Sequence, residues 1–154
     1  MGFRITGLAE GQFASLFQMT DDELARHGAV RRVADRSPGF PCRISLTDAA
    51  IGDDVWLINF EHLPEASPYR SRHAIYVRRG ETRCDVIDDV PSMLRSRLLS
   101  IRAFDEKGMM VAADVVDGRE LERCIETMFE HADARYLHVH FAKPGCYAAR
   151  VDRH

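Results

Sequence analysis

The sequence predicts an α+β fold, a single domain over residues 1–154 with a mainly antiparallel mixed sheet of seven or eight strands and two or three helices. Three observations predict it. Short segments with period-two apolar alternation recur along the chain. The helical patterns gather near the two ends instead of alternating with strands, as a doubly wound α/β fold requires. Segment 117–131 carries Leu121, Ile125, Met128 and Phe129 as one apolar stripe at helical spacing, the signature of a helix lying on a sheet.

Each element has a local reason. Phe3-Arg4-Ile5-Thr6 alternates as a short strand, and residues 9–17 read as a short helix with Phe13, Leu16 and Phe17 on one side. Thr20 and Glu23 have capping-box spacing, so a second helix starts there and stops at Gly28, with His27 in its last turn. Segments 29–34 and 42–46 are candidate strands. Segment 55–60 is apolar on both faces, which suits an interior strand. Segment 73–79 is a further strand ending before Gly80, and Pro91 suits the start of a short helix. Segments 98–105 and 109–116 form a hairpin around Glu106-Lys107-Gly108. Asp117 caps the 117–131 helix, with Glu120 at the reciprocal position, and Glu122 and Glu126 lie on its outer face. Segments 136–142 and 147–151 are the last two strands, joined through Pro144-Gly145.

Composition narrows the function classes. Hydrophobic residues are 45% and charged residues 29%, which excludes wholesale disorder. A net charge of −3 with acids and bases interspersed argues against a nucleic-acid binder, which shows a basic face. Lys107 and Lys143 are the only lysines among 21 basic residues. A GC-rich genome accounts for such a bias, and guanidinium forks also suit carboxylate or phosphate binding. Cys42, Cys84, Cys124 and Cys146 show neither zinc nor disulfide spacing, so free thiols in a reducing cytosol are expected. Met1 to Thr6 has no apolar signal region and no run of eighteen apolar residues occurs, so a cytoplasmic chain with no membrane span is expected.

His138-Val139-His140 is the first candidate for chemistry. Alternation along a strand puts both imidazoles on one face, with Leu137, Val139 and Phe141 on the other. Such a pair can ligate a metal if a third ligand approaches; by type, Glu61, His62, His73 and the thiols qualify. The plainer reading is a polar face of an edge or half-exposed strand, or imidazoles that hydrogen-bond backbone. Metal-binding cupins use His-x-His with a later Glu, and histidine-triad hydrolases use three alternating histidines. Phe141-Ala142-Lys143-Pro144-Gly145 lacks the former and Tyr136 or Ala142 replaces the latter, so neither chemistry carries over.

Cys146 is the second candidate, since a thiol beside an imidazole can become a nucleophile with His140 as its base. Register decides. A two-residue loop at Pro144-Gly145 puts Cys146 on the Val139/Phe141 face; a three-residue loop puts it on the His140 face. The third candidate is segment 61–73, read as a long polar loop in which Tyr69, Arg70, Arg72 and His73 can line a pocket for an anion, or simply face solvent. Arg43 follows the rigid Gly39-Phe40-Pro41 and can add a guanidinium.

Phe40-Pro41-Cys42-Arg43, Ser67-Pro68-Tyr69-Arg70, Arg102-Ala103-Phe104-Asp105, Gly108-Met109-Met110-Val111, His138-Val139-His140 and Gly145-Cys146-Tyr147-Ala148-Ala149-Arg150 carry a resemblance over nearly the whole chain. It is to the domain-of-unknown-function family 1203. The resemblance implies a small bacterial cytoplasmic domain and supplies no reaction. It marks Cys42, Arg43, Tyr69, Arg70, His138, His140, Cys146 and Tyr147 as matching positions.

The leading expectation is a protein that binds a small anionic metabolite or nucleotide. Arg43, Arg70 and Arg72 would hold the anion, Tyr69 and His73 would add contacts, and His138 and His140 would be contact or acid/base groups. A metal-dependent His-x-His enzyme or a Cys146/His140 enzyme stays open, as does a non-catalytic interaction module or homodimer. Placement discriminates: convergence of the loop arginines and paired histidines supports a site, and dispersal supports the interaction module.

Overall fold

The structure, a computed structural model, describes residues 2–154. Strand β1 (Phe3–Thr6) opens the chain. The expected helix over 9–17 is two 3-10 turns, Glu10–Phe13 and Leu16–Gln18. The capping box then forms as expected. The Thr20 hydroxyl accepts from the Glu23 N–H at 3.3 Å and the Glu23 carboxylate accepts from the Thr20 N–H at 3.4 Å, starting α1 (Asp21–Arg26). Gly28, at φ +67°, takes the left-handed conformation that ends the helix.

Strands β2 (Val30–Val33), β3 (Pro41–Cys42), β4 (Thr47–Asp48), β5 (Asp54–Leu63) and β6 (Ser71–Val77) form one five-stranded sheet in the order β2-β5-β6-β3-β4. Its one parallel pair is β3 with β6. The strand expected over 42–46 is a correction: Cys42 ends β3, and a turn closed by Leu46 N–H donating to the Cys42 carbonyl carries the chain to β4. The first half of β5 is covered on both faces, with Val55 in one apolar cluster and Trp56 and Ile58 in another. Asn59 is exposed, so that double cover ends there.

β7 (Asp85–Ile87), β8 (Leu98–Phe104), β9 (Met110–Asp117), β10 (Tyr136–Phe141) and β11 (Tyr147–Arg153) join β1 in a six-stranded antiparallel sheet, ordered β7-β1-β11-β10-β8-β9. The α+β class is the predicted one, with the strands divided between two sheets. A short helix α2 (Ser92–Arg95) starts just after Pro91. Helix α3 (Leu121–Phe129) follows a 3-10 turn over Gly118–Glu120. Asp117 caps that turn through the Arg119 N–H at 2.9 Å, with no reciprocal bond from Glu120.

Leu121, Ile125, Met128 and Phe129 of α3 are buried in one cluster with Leu137, Val139 and Phe141 of β10. Each such side chain contributes roughly 1.5–3 kcal/mol relative to exposure. Glu126 is exposed, while Glu122 is half-buried because Arg95 pairs with it at 2.5 Å. The helix therefore takes one face of β10. The opposite face turns toward the five-stranded sheet, and Tyr147 of β11 belongs to the apolar cluster of Ile44, Trp56, Ile58 and Ile75 there. That sheet–sheet seam is where the two histidines of β10 lie.

Candidate functional site

The β10–β11 hairpin sorts the candidate side chains. Its loop spans four residues: Phe141 N–H donates to the Cys146 carbonyl at 2.9 Å, and Gly145 N–H donates back to the Phe141 carbonyl at 2.8 Å. Gly145 sits at φ +79°, a conformation side chains with a Cβ disfavour. An even loop returns Cys146 on the face of Phe141, and Cys146 is buried in the cluster of Leu137, Val139 and Phe141. The next pair in regular register is Tyr147 with His140, and a bulge at Ala148 follows before Ala149 pairs with Val139. The structure thus brings Tyr147, and not Cys146, beside the two histidines.

On the Cys146 face lies Arg43, which is 2% exposed. Its guanidinium donates to the Tyr147 carbonyl at 2.8 Å, the Pro41 carbonyl at 2.6 Å and the Cys146 sulfur at 2.8 Å. No carboxylate pairs with it among the described residues. Burial pulls its pKa down, opposed by the neighbouring Cys146. Arg43 and Arg97 both lie against the Phe141 ring, 4.8 and 5.0 Å from its centre. Arg97 also pairs with Asp48 through two bonds of 3.0 and 2.5 Å. Around these groups is a cavity of about 600 Å³ whose polar lining includes Arg36, Arg43, His73, Arg97, Lys143 and Cys146. Leu57, Leu98 and Phe141 are among its apolar walls.

On the other face, His138 and His140 are 3% and 1% exposed, a buried position in place of the polar face of a half-exposed strand. His62 of β5 meets them from the second sheet, its ring centre 5.9 Å from that of His138 and 5.0 Å from that of His140. One nitrogen from each ring lies within 4.8 Å of the others. Tyr147 stacks on His62 at 5.4 Å with 8° between ring planes. His140 Nδ1 donates to the Gly145 carbonyl at 2.9 Å, which leaves Nε2 as the lone-pair nitrogen of the neutral ring. Burial, then the Arg102 and His73 charges, pulls His62 down to about 4. Burial pulls His140 down to about 3, against the Gly145 carbonyl, and holds His138 well below its ordinary value. All three rings are neutral at pH 7.

The remaining expected residues are elsewhere. Segment 61–73 is a loop only over residues 64–70: β5 and β6 keep pairing through Phe60–His73 and Glu61–Arg72, so both ends of the segment are strand. Glu61 holds Arg70 at 3.1 Å and Arg72 at 3.8 Å on the exposed outside of the sheet. Arg70 and Arg72 line neither the cavity nor the histidine cluster. Tyr69 is exposed, its ring 6.3 Å from that of Phe104. His73 does line the cavity. Arg36, Arg97 and Lys143 carried no sequence signal, because three separate segments supply them. His62 was one of several residues able by type to complete a metal set, and only the sheet–sheet seam singles it out.

All four cysteines are free, and no helix among the described residues is long and apolar enough to cross a membrane. No curated protein and no solved structure matches the chain. Residues 39–153 match the model of a family described as a protein of unknown function, DUF1203, and the chain belongs to that family.

Proposed function

We propose that the protein binds a small organic anion, a metabolite carboxylate or phosphate ester or a nucleotide, in the cavity beside Phe141. The charge of the lining carries this reading: Arg36, Arg43, Arg97 and Lys143 contribute cations, and no Asp or Glu lines the cavity. Arg97 is partly compensated by Asp48, whereas Arg43 has backbone carbonyls and a thiol for partners. A buried cation without a carboxylate favours an anion nearby, and guanidinium forks bind carboxylate or phosphate in pairs of bonds. Leu57, Leu98 and Phe141 supply the apolar surface that an organic anion uses and an inorganic one does not.

Thermal shift against a panel of carboxylates, phosphates and nucleotides at fixed ionic strength tests the reading. A ligand at 100 times its Kd stabilises the native state by about 2.7 kcal/mol. Arg36 and Lys143 are exposed, so Arg36→Ala and Lys143→Ala leave the fold intact and should abolish the shift. Binding unchanged in both variants, or no shift from any anion, ends the proposal.

A further inference from the structure

Two buried histidines met by a half-buried third are unusual enough to need a physical reason. Native proteins leave few buried polar atoms unpaired, because each costs about 1–3 kcal/mol. Each of the three rings carries one such atom: Nδ1 of His62, Nδ1 of His138 and Nε2 of His140 are buried without a hydrogen-bond partner in the protein. No carboxylate pairs with any of the three rings among the described residues. A plain packing role would be served better by Leu or Phe.

We propose that His62, His138 and His140 form a site for one divalent transition-metal ion of the zinc type, clamped between the two sheets. Three observations support it independently of the anion cavity, which none of the three residues lines. The first is convergence: one nitrogen from each ring lies within 4.8 Å of the others, on two strands from different sheets. In a tetrahedral zinc site with Zn–N of about 2.0–2.1 Å, ligand nitrogens stand about 3.3 Å apart. The triplet therefore needs to close by about 1.5 Å at its widest. The second is orientation: the Gly145 carbonyl takes the His140 Nδ1 proton, the outer hydrogen bond that metal-bound histidines characteristically make. The third is the backbone: bulges fall between Glu61 and Leu63, at His62, and between Val139 and His140. Bulges re-aim single side chains and are enriched beside functional sites.

The neighbouring charges shape what completes the site. Arg150, opposite His138 on β11, is paired with Asp152 at 2.8 Å. Arg102, opposite His138 on β8, has Ser100 as its side-chain partner and keeps its charge. Three neutral imidazoles leave the ion at +2, so beside Arg102 a small anionic fourth ligand such as hydroxide balances the charge. Three imidazoles and one such ligand complete the tetrahedral set that zinc favours.

The test uses full-length protein without an affinity tag, stripped with a chelator and titrated with zinc alone. One zinc per chain is expected, and absorption spectroscopy at the zinc edge should show imidazole nitrogens at about 2.0 Å. His62→Ala and His140→Ala should each weaken binding by more than about 100-fold, since loss of an outer-shell partner alone costs 10–100-fold. The exposed His27→Ala and His131→Ala should bind as the wild type does. His62 is half-buried, so His62→Ala should still unfold cooperatively, which separates lost ligation from lost fold. Folded wild-type protein that takes up no zinc at micromolar free metal overturns the proposal. So does uptake that survives His62→Ala, which would assign the zinc to other residues. Neither result touches anion binding, which is measured in the same chelator-stripped protein.

Discussion

The two faces of the β10–β11 hairpin bury basic side chains in opposite ways. On one, His138 and His140 give up their proton, and the cost of burial appears as lowered pKa values. On the other, Arg43 cannot give up its charge, and so its donors go to two backbone carbonyls and a thiol. One face therefore offers neutral lone pairs and the other a fixed positive charge, within a single strand pair. That separation is why the two proposed sites, one for a metal ion and one for an organic anion, fall so near each other.

The largest effect expected from breaking this arrangement is at Arg43. Arg43→Ala opens a buried cavity and strands the Tyr147 and Pro41 carbonyls, a loss of at least about 3 kcal/mol in urea unfolding. Arg43→Met keeps much of the volume and should recover part of that loss. A cost below about 1 kcal/mol for Arg43→Ala would show that the buried charge contributes nothing to the fold.

Acid should act on the other face. The folded pKa values of the three histidines lie below the ordinary 6.5, at about 4 for His62 and about 3 for His140. Below pH 6.5 the unfolded chain binds protons that the folded chain refuses, so stability falls as pH drops from 6.5 toward 4 and is unaffected by these groups above pH 7. Urea unfolding of metal-free protein across that range checks the sign. A His138→Phe, His140→Phe double variant that stays folded should lose most of the slope between pH 6.5 and 4.

The smallest effect is expected outside both faces. Glu61 pairs with Arg70 and Arg72, two arginines that are more than half exposed. Exposed pairs contribute about 0–1 kcal/mol, so Glu61→Gln should change stability by less than about 1 kcal/mol and anion binding not at all. A large loss of anion affinity in Arg70→Ala or Arg72→Ala would move the anion site back to the loop that their sequence neighbourhood suggests.

Much of the fold was legible because it is local. The Thr20–Glu23 capping box, the Gly28 stop, the α3 stripe and the period-two strands follow from backbone geometry within a few residues. The same local rule put His138 and His140 on one face and Leu137, Val139 and Phe141 on the other. It failed at residues 61–63 and 71–72, where polar side chains suggested loop. Cross-strand pairing of Glu61 with Arg72 keeps those residues in the sheet, because a strand needs only its backbone partner and one covered face.

By itself, then, the sequence determined the α+β class, the amphipathic helix and the shared face of the two histidines, all consequences of side-chain period along one element. The tertiary structure alone decided that a four-residue loop brings Tyr147 rather than Cys146 to that face. It also decided that His62 arrives from the other sheet, and that Arg36, Arg43, Arg97 and Lys143 surround one cavity. These are meetings between residues far apart in the chain, and a shift of one residue in loop length or register exchanges every side chain between faces.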